Sequence, residues 1–158
     1  MTTMRRATAA DLPFMEEVFV ITADWNPENV KGAAHWRTDP TFQQYVGGFP
    51  RPTDLGFIAE REGQDVGAVW WRYFTADEPG YGFVSEEVPE IGIGVVEGRR
   101  GEGIGRALMN AIIAASTGDL SLSVEDGNPA VELYRKSGFV AVGRFQDSTT
   151  MLRSRRRD

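Results

Sequence analysis

The sequence predicts an α/β fold, a mixed sheet covered by helices. Three observations carry that prediction. Apolar residues recur at a period of two in short stretches, most cleanly in "EIGIGVV" and "LSLSV". Between these stretches the period lengthens to that of an amphipathic helix, as in "IGRALMNAIIAA". The two patterns alternate along the chain, with no repeat, low-complexity linker or second composition regime. At 158 residues, 41 % hydrophobic and 25 % charged, the chain can bury one sizeable core, so a single domain over 1–158 is expected.

The elements follow in order. "RRAT" reads as a first strand, and Thr8 with Asp11 three residues on forms a capping box before a helix over 9–23. Leu12, Met15, Phe19 and Thr22 give that helix its inner stripe. Asn26 before Pro27 is a helix-start signal, and a second helical region is expected from there to about residue 46, broken by "GGFPRPTD". "LGFIAERE" and "DVGAVWWRYF" form a hairpin around "REGQD". In the strand "EIGIGVV", Ile91, Ile93 and Val95 share one face, while Glu90, Gly92 and Gly94 share the other. A helix runs from Gly103 with Ile104, Leu108 and Ile112 as its stripe and Gly118 as its stop. "LSLSV" is a half-buried strand. Asn128 caps, Pro129 opens and Gly138 ends a short helix. "FVAVGRF" and "TTMLRS" are the last strands, and 153–158 reads as a frayed tail.

Composition excludes several function classes. The net charge is −6, the wrong sign for a nucleic-acid surface and mildly favourable to a cationic substrate. The chain has no cysteine, so a disulfide, a thiolate metal site and an acyl-cysteine intermediate are ruled out. The single histidine, His35, cannot build a histidine metal site. No metal and no membrane partner is expected. The first residues lack a signal-peptide core, which makes the cytoplasm the default location.

The chemistry concentrates in "RRGEGIGRAL", where Gly101, Gly103 and Gly105 alternate between a strand and a helix. Glycines let a backbone approach a ligand closely, and the first helical turn presents free N–H groups and the positive end of its dipole. Arg99, Arg100 and Arg106 add positive charge, so the loop suits a pyrophosphate. It is not a P-loop, because no lysine or hydroxyl residue follows the glycines. It is not a dinucleotide fingerprint either, because position six from Gly101 or Gly103 is Arg106 or Leu108. The spacing that fits is Arg100-x-x-Gly103-x-Gly105.

That spacing after a strand resembles the acyl-coenzyme A signature of the GNAT superfamily of N-acetyltransferases. "RRATAADLP" resembles the family's opening strand and helix start, and "NPAVELYRKSGFVAVGRF" its second cofactor motif. The resemblance implies a mostly antiparallel sheet with helices on both faces and a splay between strands four and five. It implies that acetyl-coenzyme A serves as co-substrate. Ile93 and Val95 would offer backbone groups to the pantetheine arm. Arg100, Gly101, Gly103, Gly105 and Arg106 would offer main-chain N–H groups to the pyrophosphate, with Asn128 near the pantetheine. Gly92 and Gly94 would allow a bulge at the splay.

The implied reaction is direct acetyl transfer to a primary amine of a small molecule in a ternary complex. Tyr134 is the candidate general acid, near the sulfur; the plain alternative is a core tyrosine. Glu90 is the candidate base; the alternatives are an exposed strand-end carboxylate or proton loss through water. Glu86 and Glu87 are weaker candidates. His35 and Trp36 read as a packing pair. Trp25, Trp36, Phe42 and Tyr45 fall where the family lines its acceptor site, but the hydrophobic face of a helix is the favoured reading over an aromatic pocket for a cation or apolar amine. A protein or peptide amino-group acetyltransferase is the competing enzyme reading, and a non-catalytic acyl-coenzyme A sensor the reading from another class. Dimers are frequent in the family, which leaves a homodimer open.

Overall fold

The computed structural model describes residues 1–155. Seven strands form one sheet: β1 (Thr2–Arg6), β2 (Leu55–Arg61), β3 (Gln64–Arg72), β4 (Glu90–Val95), β5 (Leu120–Glu125), β6 (Val140–Phe145) and β7 (Ser148–Arg153). Their spatial order is β1-β2-β3-β4-β5-β7-β6. Every neighbouring pair is antiparallel except β4 and β5, which run parallel and pair only at Glu90 opposite Ser121. The expected splay is therefore present. The β2–β3 turn places Glu62 and Gly63 both at positive φ, 54° and 77°, which matches the twist of the strands it joins.

Helices cover both faces. On one face, α1 (Leu12–Ala23) and α3 (Pro40–Val46) bury Met15, Val18, Phe42 and Val46 against Ile58, Ala68 and Trp70. On the other, α4 (Ile104–Ala115) buries Ile104, Leu108, Met109 and Ile112 against Val69, Ile91 and Ile93. α5 (Val131–Lys136) adds Tyr134 to this second cluster. The alternation in β2 and β3 thus feeds two cores, one per face, with Ile58, Ala68 and Trp70 on one side and Ala59 and Val69 on the other.

Several boundaries differ from the sequence reading. The first strand ends at Arg6, and a 3-10 turn at Ala9–Asp11 precedes α1, with Asp11 accepting from the Thr8 amide at 2.8 Å. The second helical region is two short helices, α2 (Ala33–Thr38) and α3. Pro27 starts neither; Asn26 instead spends its side chain on the Glu28 amide in a local turn. The working cap is Asp39, whose carboxylate accepts from the Thr41 amide beside Pro40. α4 ends at Ala115, three residues before Gly118, and α5 begins at Val131 rather than at Pro129. The expected frayed tail is corrected at its start. Arg153 belongs to β7 and the Arg155 amide bonds to Asp119, while 156–158 lie outside the described residues.

Gly92 and Gly94 make no bulge, since β3 and β4 pair in unbroken register from Gly67 opposite Val95 to Arg72 opposite Glu90. Both glycines are required by packing instead. A Cβ on Gly92 would stand 3.0 Å from the Trp70 ring, and one on Gly94 would overlap Thr22 Oγ1 and stand 2.8 Å from Val18 Cγ1. Helix α1 therefore lies directly on the β4 backbone.

The end of α3 is held by β3. Arg72, with its side chain 1 % exposed, binds Asp54, equally buried, at 2.6 Å. It also donates to the carbonyls of Gln43 and Gln44, and Trp70 Nε1 donates to the carbonyl of Tyr45 at 3.0 Å. The Gln43 carbonyl also accepts from the Gly47 amide, whereas those of Gln44 and Tyr45, at the helix C-terminus, are met by the buried cation and the indole. Replacing Arg72 by Met strands the Asp54 carboxylate in the interior. The expected loss is about 3–5 kcal/mol in urea unfolding, and adding Asp54→Leu to Arg72→Met should return part of it.

Candidate functional site

Because β4 and β5 separate beyond Glu90 and Ser121, a cleft opens between them and divides into two adjoining cavities. The first, about 500 Å³, is walled by α1, the segment after it, α3, and the ends of β4 and β5. The second, about 330 Å³, runs along Ile93, Gly94 and Val95 to the glycine loop. Thr22, Trp25, Ile93, Asn128 and Tyr134 line both.

The second cavity collects most of the residues expected to hold the cofactor. Arg100, Gly101, Gly103, Gly105 and Ile104 form its loop end, with Ile93, Val95 and Asn128 along its length. Gly101 and Gly103 both have φ of +82°, a conformation that side chains rarely adopt. Gly103 is the N-cap of α4, and the first bond into the helix is from the Ala107 amide to the Gly103 carbonyl. The amides of Ile104, Gly105 and Arg106 are thus the unpaired donors of the first turn. Arg106 contributes that amide only; its side chain is exposed and does not line the cavity. Gly105 is helical, and its missing Cβ admits Leu133 of α5, 3.3 Å from where that atom would be.

The arginines divide their work. Arg99 is tied to Glu62 at 3.1 Å and Glu102 at 3.4 Å. Arg100 is exposed, makes no ion pair among the described residues, and lines the cavity. Asn128 is not the cap of α5; its Oδ1 accepts from the Ala130 amide at 2.9 Å, which fixes the turn that carries Tyr134. At Ile93 the carbonyl accepts from Thr22 Oγ1 at 3.2 Å. The beginning of the β4 edge is therefore stitched to α1 where the two strands part.

Tyr134 sits where the cavities meet. It is 7 % exposed and packs edge-on to Phe139, and its hydroxyl has no hydrogen-bond partner among the described residues. Burial pushes its pKa up to about 12, so it carries its proton at neutral pH.

Glu90 lies at the inner end of the first cavity, 3 % exposed. It is not the exposed strand-end carboxylate of the alternative reading. The Tyr45 hydroxyl donates to its Oε2 at 2.5 Å and itself accepts from the Tyr81 amide at 2.7 Å. Burial pushes the Glu90 pKa up to about 7, against the weaker opposing pull of the Tyr45 hydroxyl and the Gly82 amide. Glu86 binds the Ala76 amide, and neither it nor Glu87 lines a cavity.

The aromatic segment corrects the favoured sequence reading in part. Phe42 is core at 1 % exposure and Trp36 packs against the same cluster, but Trp25, Trp36 and Tyr45 also line the first cavity with Trp70. His35 does pack against Trp36, ring centroids 5.0 Å apart, and both face the cavity. Sequence reasoning missed Tyr81, Glu125 and Asp147, which also line it. Tyr81 and Asp147 lie in turns with no periodic signal. Glu125 was legible, being in phase with Ser121 and Ser123 on the cleft face of β5.

Glu90 binds its proton more tightly in the folded chain than at its ordinary pKa of 4.5. The folded state therefore holds more protons between that value and about 7, and stability falls as pH rises through the window. Glu90→Gln removes this slope. Thermal melts from pH 5 to pH 8 should show the wild type losing midpoint relative to Glu90→Gln, with the gap constant above the window.

Among the described residues no helix is long and apolar enough to cross a membrane, and no cluster of three or more His, Asp or Glu could hold a metal ion. The chain is 38 % identical over 92 residues to mycothiol acetyltransferase of Cellulomonas flavigena, a match that takes in 53 % of this chain. The chain spans 26 % of the length of that relative. Its fold is similar to ribosomal-protein-alanine N-acetyltransferase of Brucella melitensis, with TM-score 0.67 and 27 % identity over 96 % of this chain and 99 % of that one. It is also similar to PaiA N-acetyltransferase of Thermoplasma acidophilum in complex with coenzyme A, with TM-score 0.72 and 14 % identity over 98 % and 99 % of the two chains. The acetyltransferase (GNAT) domain family matches residues 52–141, from just before β2 to the start of β6 and across the whole glycine loop. With the divided sheet and the loop it frames, this match places the chain in the GNAT acetyltransferase family.

Proposed function

We propose that residues 1–158 form one N-acetyltransferase domain that moves an acetyl group from acetyl-coenzyme A to the primary amine of a small molecule by direct attack. The observation that carries this reading is the meeting of the two cavities at an unpaired tyrosine hydroxyl, with phosphate-type donors at one far end and a buried carboxylate at the other.

The second cavity fits the co-substrate by its donor set: first-turn amides of α4, two left-handed glycines and an unpaired arginine suit a pyrophosphate. Ile93 and Val95 lie along the cavity where an extended arm would run beside β4. Bound there, the thioester supplies an activated acetyl carbon. In this reading Glu90, directly or through water, takes the proton the amine must lose before its nitrogen bonds to that carbon. A β4 amide at the cleft edge meets the charge that develops on the carbonyl oxygen. Tyr134 returns a proton to the sulfur as the carbon–sulfur bond breaks, leaving an amide and a free thiol. No covalent enzyme intermediate is required.

The relatives of known name include acetyltransferases of both proteins and small molecules; the first cavity, at about 500 Å³, has the size of a small-molecule site and supports the small-molecule reading.

Calorimetry with acetyl-coenzyme A, beside thiol release over a panel of amines, tests the reading. Binding with turnover is expected; binding without turnover on any amine or peptide would favour a sensor. Gly103→Trp, which imposes a side chain on a left-handed position, should weaken cofactor binding at least about tenfold, and intact affinity would overturn the loop assignment. Tyr134→Phe should lower kcat about 10–100-fold with little change in KM for acetyl-coenzyme A. With Glu90 as base, kcat should rise through pH 7 and flatten above it, and Glu90→Gln should abolish that limb.

A further inference from the structure

We infer that the acceptor is an organic amine with an apolar, ring-bearing body and no carboxylate or phosphate, that is, an arylalkylamine. This deepens the acetyl-transfer reading and rests on it. The wall of the first cavity sets the chemistry of what it can hold. Trp25, Trp36 and Trp70 all line it, and every one of their indole N–H groups is already spent. Trp25 donates to Glu125 at 2.6 Å, Trp36 to Asp24 at 2.9 Å and Trp70 to the Tyr45 carbonyl at 3.0 Å. The Tyr45 hydroxyl is spent in the same way on Glu90. Trp25, Trp36 and Tyr45 therefore present ring surface and no donors, with Trp70, 2 % exposed, packed behind them. An aromatic or alkyl body gains from such a wall by burial and by ring–ring contact, and an ammonium group gains from the ring faces.

Charge points the same way. Four carboxylates line the cavity, Asp39, Glu90, Glu125 and Asp147, against one lysine, Lys31, and one imidazole, His35. His35 Nε2 lies 3.6 Å from Asp39 Oδ2, while Lys31 is exposed and makes no salt bridge among the described residues. Against the upward push of burial, hydrogen bonds hold the Asp24 carboxyl below the usual range, and the Thr41 amide does the same for Asp39, with smaller pulls from His35 on both and from Lys31 on Asp39. Glu125 and Asp147 make no salt bridge among the described residues. An acceptor carboxylate would meet four carboxylates, with only the exposed Lys31 and the imidazole of His35 to offset them and no guanidinium, a balance that costs rather than gains. The ring assembly is also rigid on one side: Phe19 packs edge-on to Trp36 at 5.8 Å and to Phe42 at 5.4 Å, so the rings need little ordering when a ligand arrives.

The test measures kcat/KM with acetyl-coenzyme A for four acceptors: 2-phenylethylamine, phenylalanine, 1,4-diaminobutane and n-butylamine. The inference expects 2-phenylethylamine to exceed phenylalanine at least about a hundredfold and the two alkyl amines at least about tenfold. Preference for the diamine would mean that the carboxylates read a second ammonium, and preference for phenylalanine would mean that Lys31 or His35 holds its carboxylate; either overturns the inference and leaves acetyl transfer standing. Cofactor binding with no thiol release on any of the four, nor on a peptide with a free amino terminus, overturns the acetyl-transfer reading together with it. Trp36→Leu, compared with Trp36→Phe, supplies a readout independent of folding yield. The ratio of kcat/KM for 2-phenylethylamine to that for n-butylamine should fall about fivefold in the leucine variant and recover in the phenylalanine one. An unchanged ratio in the leucine variant would also overturn the inference.

Discussion

A single pair of residues governs this molecule. β4 and β5 run side by side in the same direction and meet only at Glu90 and Ser121. Had the pairing continued, the sheet would be closed and its backbone groups satisfied by one another. Because it stops, the chain must fill or line the gap, and every element near the site is arranged by that need. The beginning of the β4 edge is stitched to α1 through Thr22. The turn before α5 is held by Asn128 so that Tyr134 stands in the gap. The glycine loop opens at its far end, where α4 begins. A topological break in a sheet is a common place for a ligand, and here the break supplies both cavities.

Glu90 shows how much structure is needed to keep one carboxylate out of water. It stands at the one point where the strands still pair, so its backbone is fixed by the sheet while its side chain faces the cleft. Its environment is built mainly by a helix it does not belong to. Tyr45 reaches it from α3, and α3 is held by Arg72 through the Gln44 carbonyl and by Trp70 through the carbonyl of Tyr45 itself. The buried ion pair of Arg72 with Asp54 is thus a structural support for a group several residues away in space. Burial alone would push Glu90 to the protonated side. The tyrosine hydroxyl moderates that push and leaves the carboxyl near the middle of the physiological range.

Much of this was legible before any coordinates. Strong periodicity marked β4, α4 and β5, and the glycine spacing marked the loop, because such signals are local and come from one residue's relation to its near neighbours. Failures came where a long-range contact overrode a local sign. Pro27 looks like a helix opener, but Asn26 has another use for its side chain, and the helix waits for Asp39 and Pro40. Gly92 and Gly94 read as points of strand irregularity, while their true partners are Trp70 and α1, distant in sequence. The aromatic residues after α1 were read as a buried helix face, since an amphipathic pattern cannot say whether its apolar side meets protein or an open cavity. Glu90 was found by its position at the strand start, but its burial depends on Tyr45 and Gly80, which no spacing rule connects to it.

The contact between α1 and β4 has one more consequence. With no Cβ on Gly94, helix and strand lie against each other so closely that neither can shift without the other. The wall that both cavities share is therefore a fixed partition. Residues 26–32 form no helix or strand, and Asn26, Asn29 and Lys31 among them line the first cavity and not the second. Changes there can reshape the first cavity while the second stays as it is. One scaffold can in this way vary one cavity over evolutionary time without rebuilding the glycine loop at the end of the other.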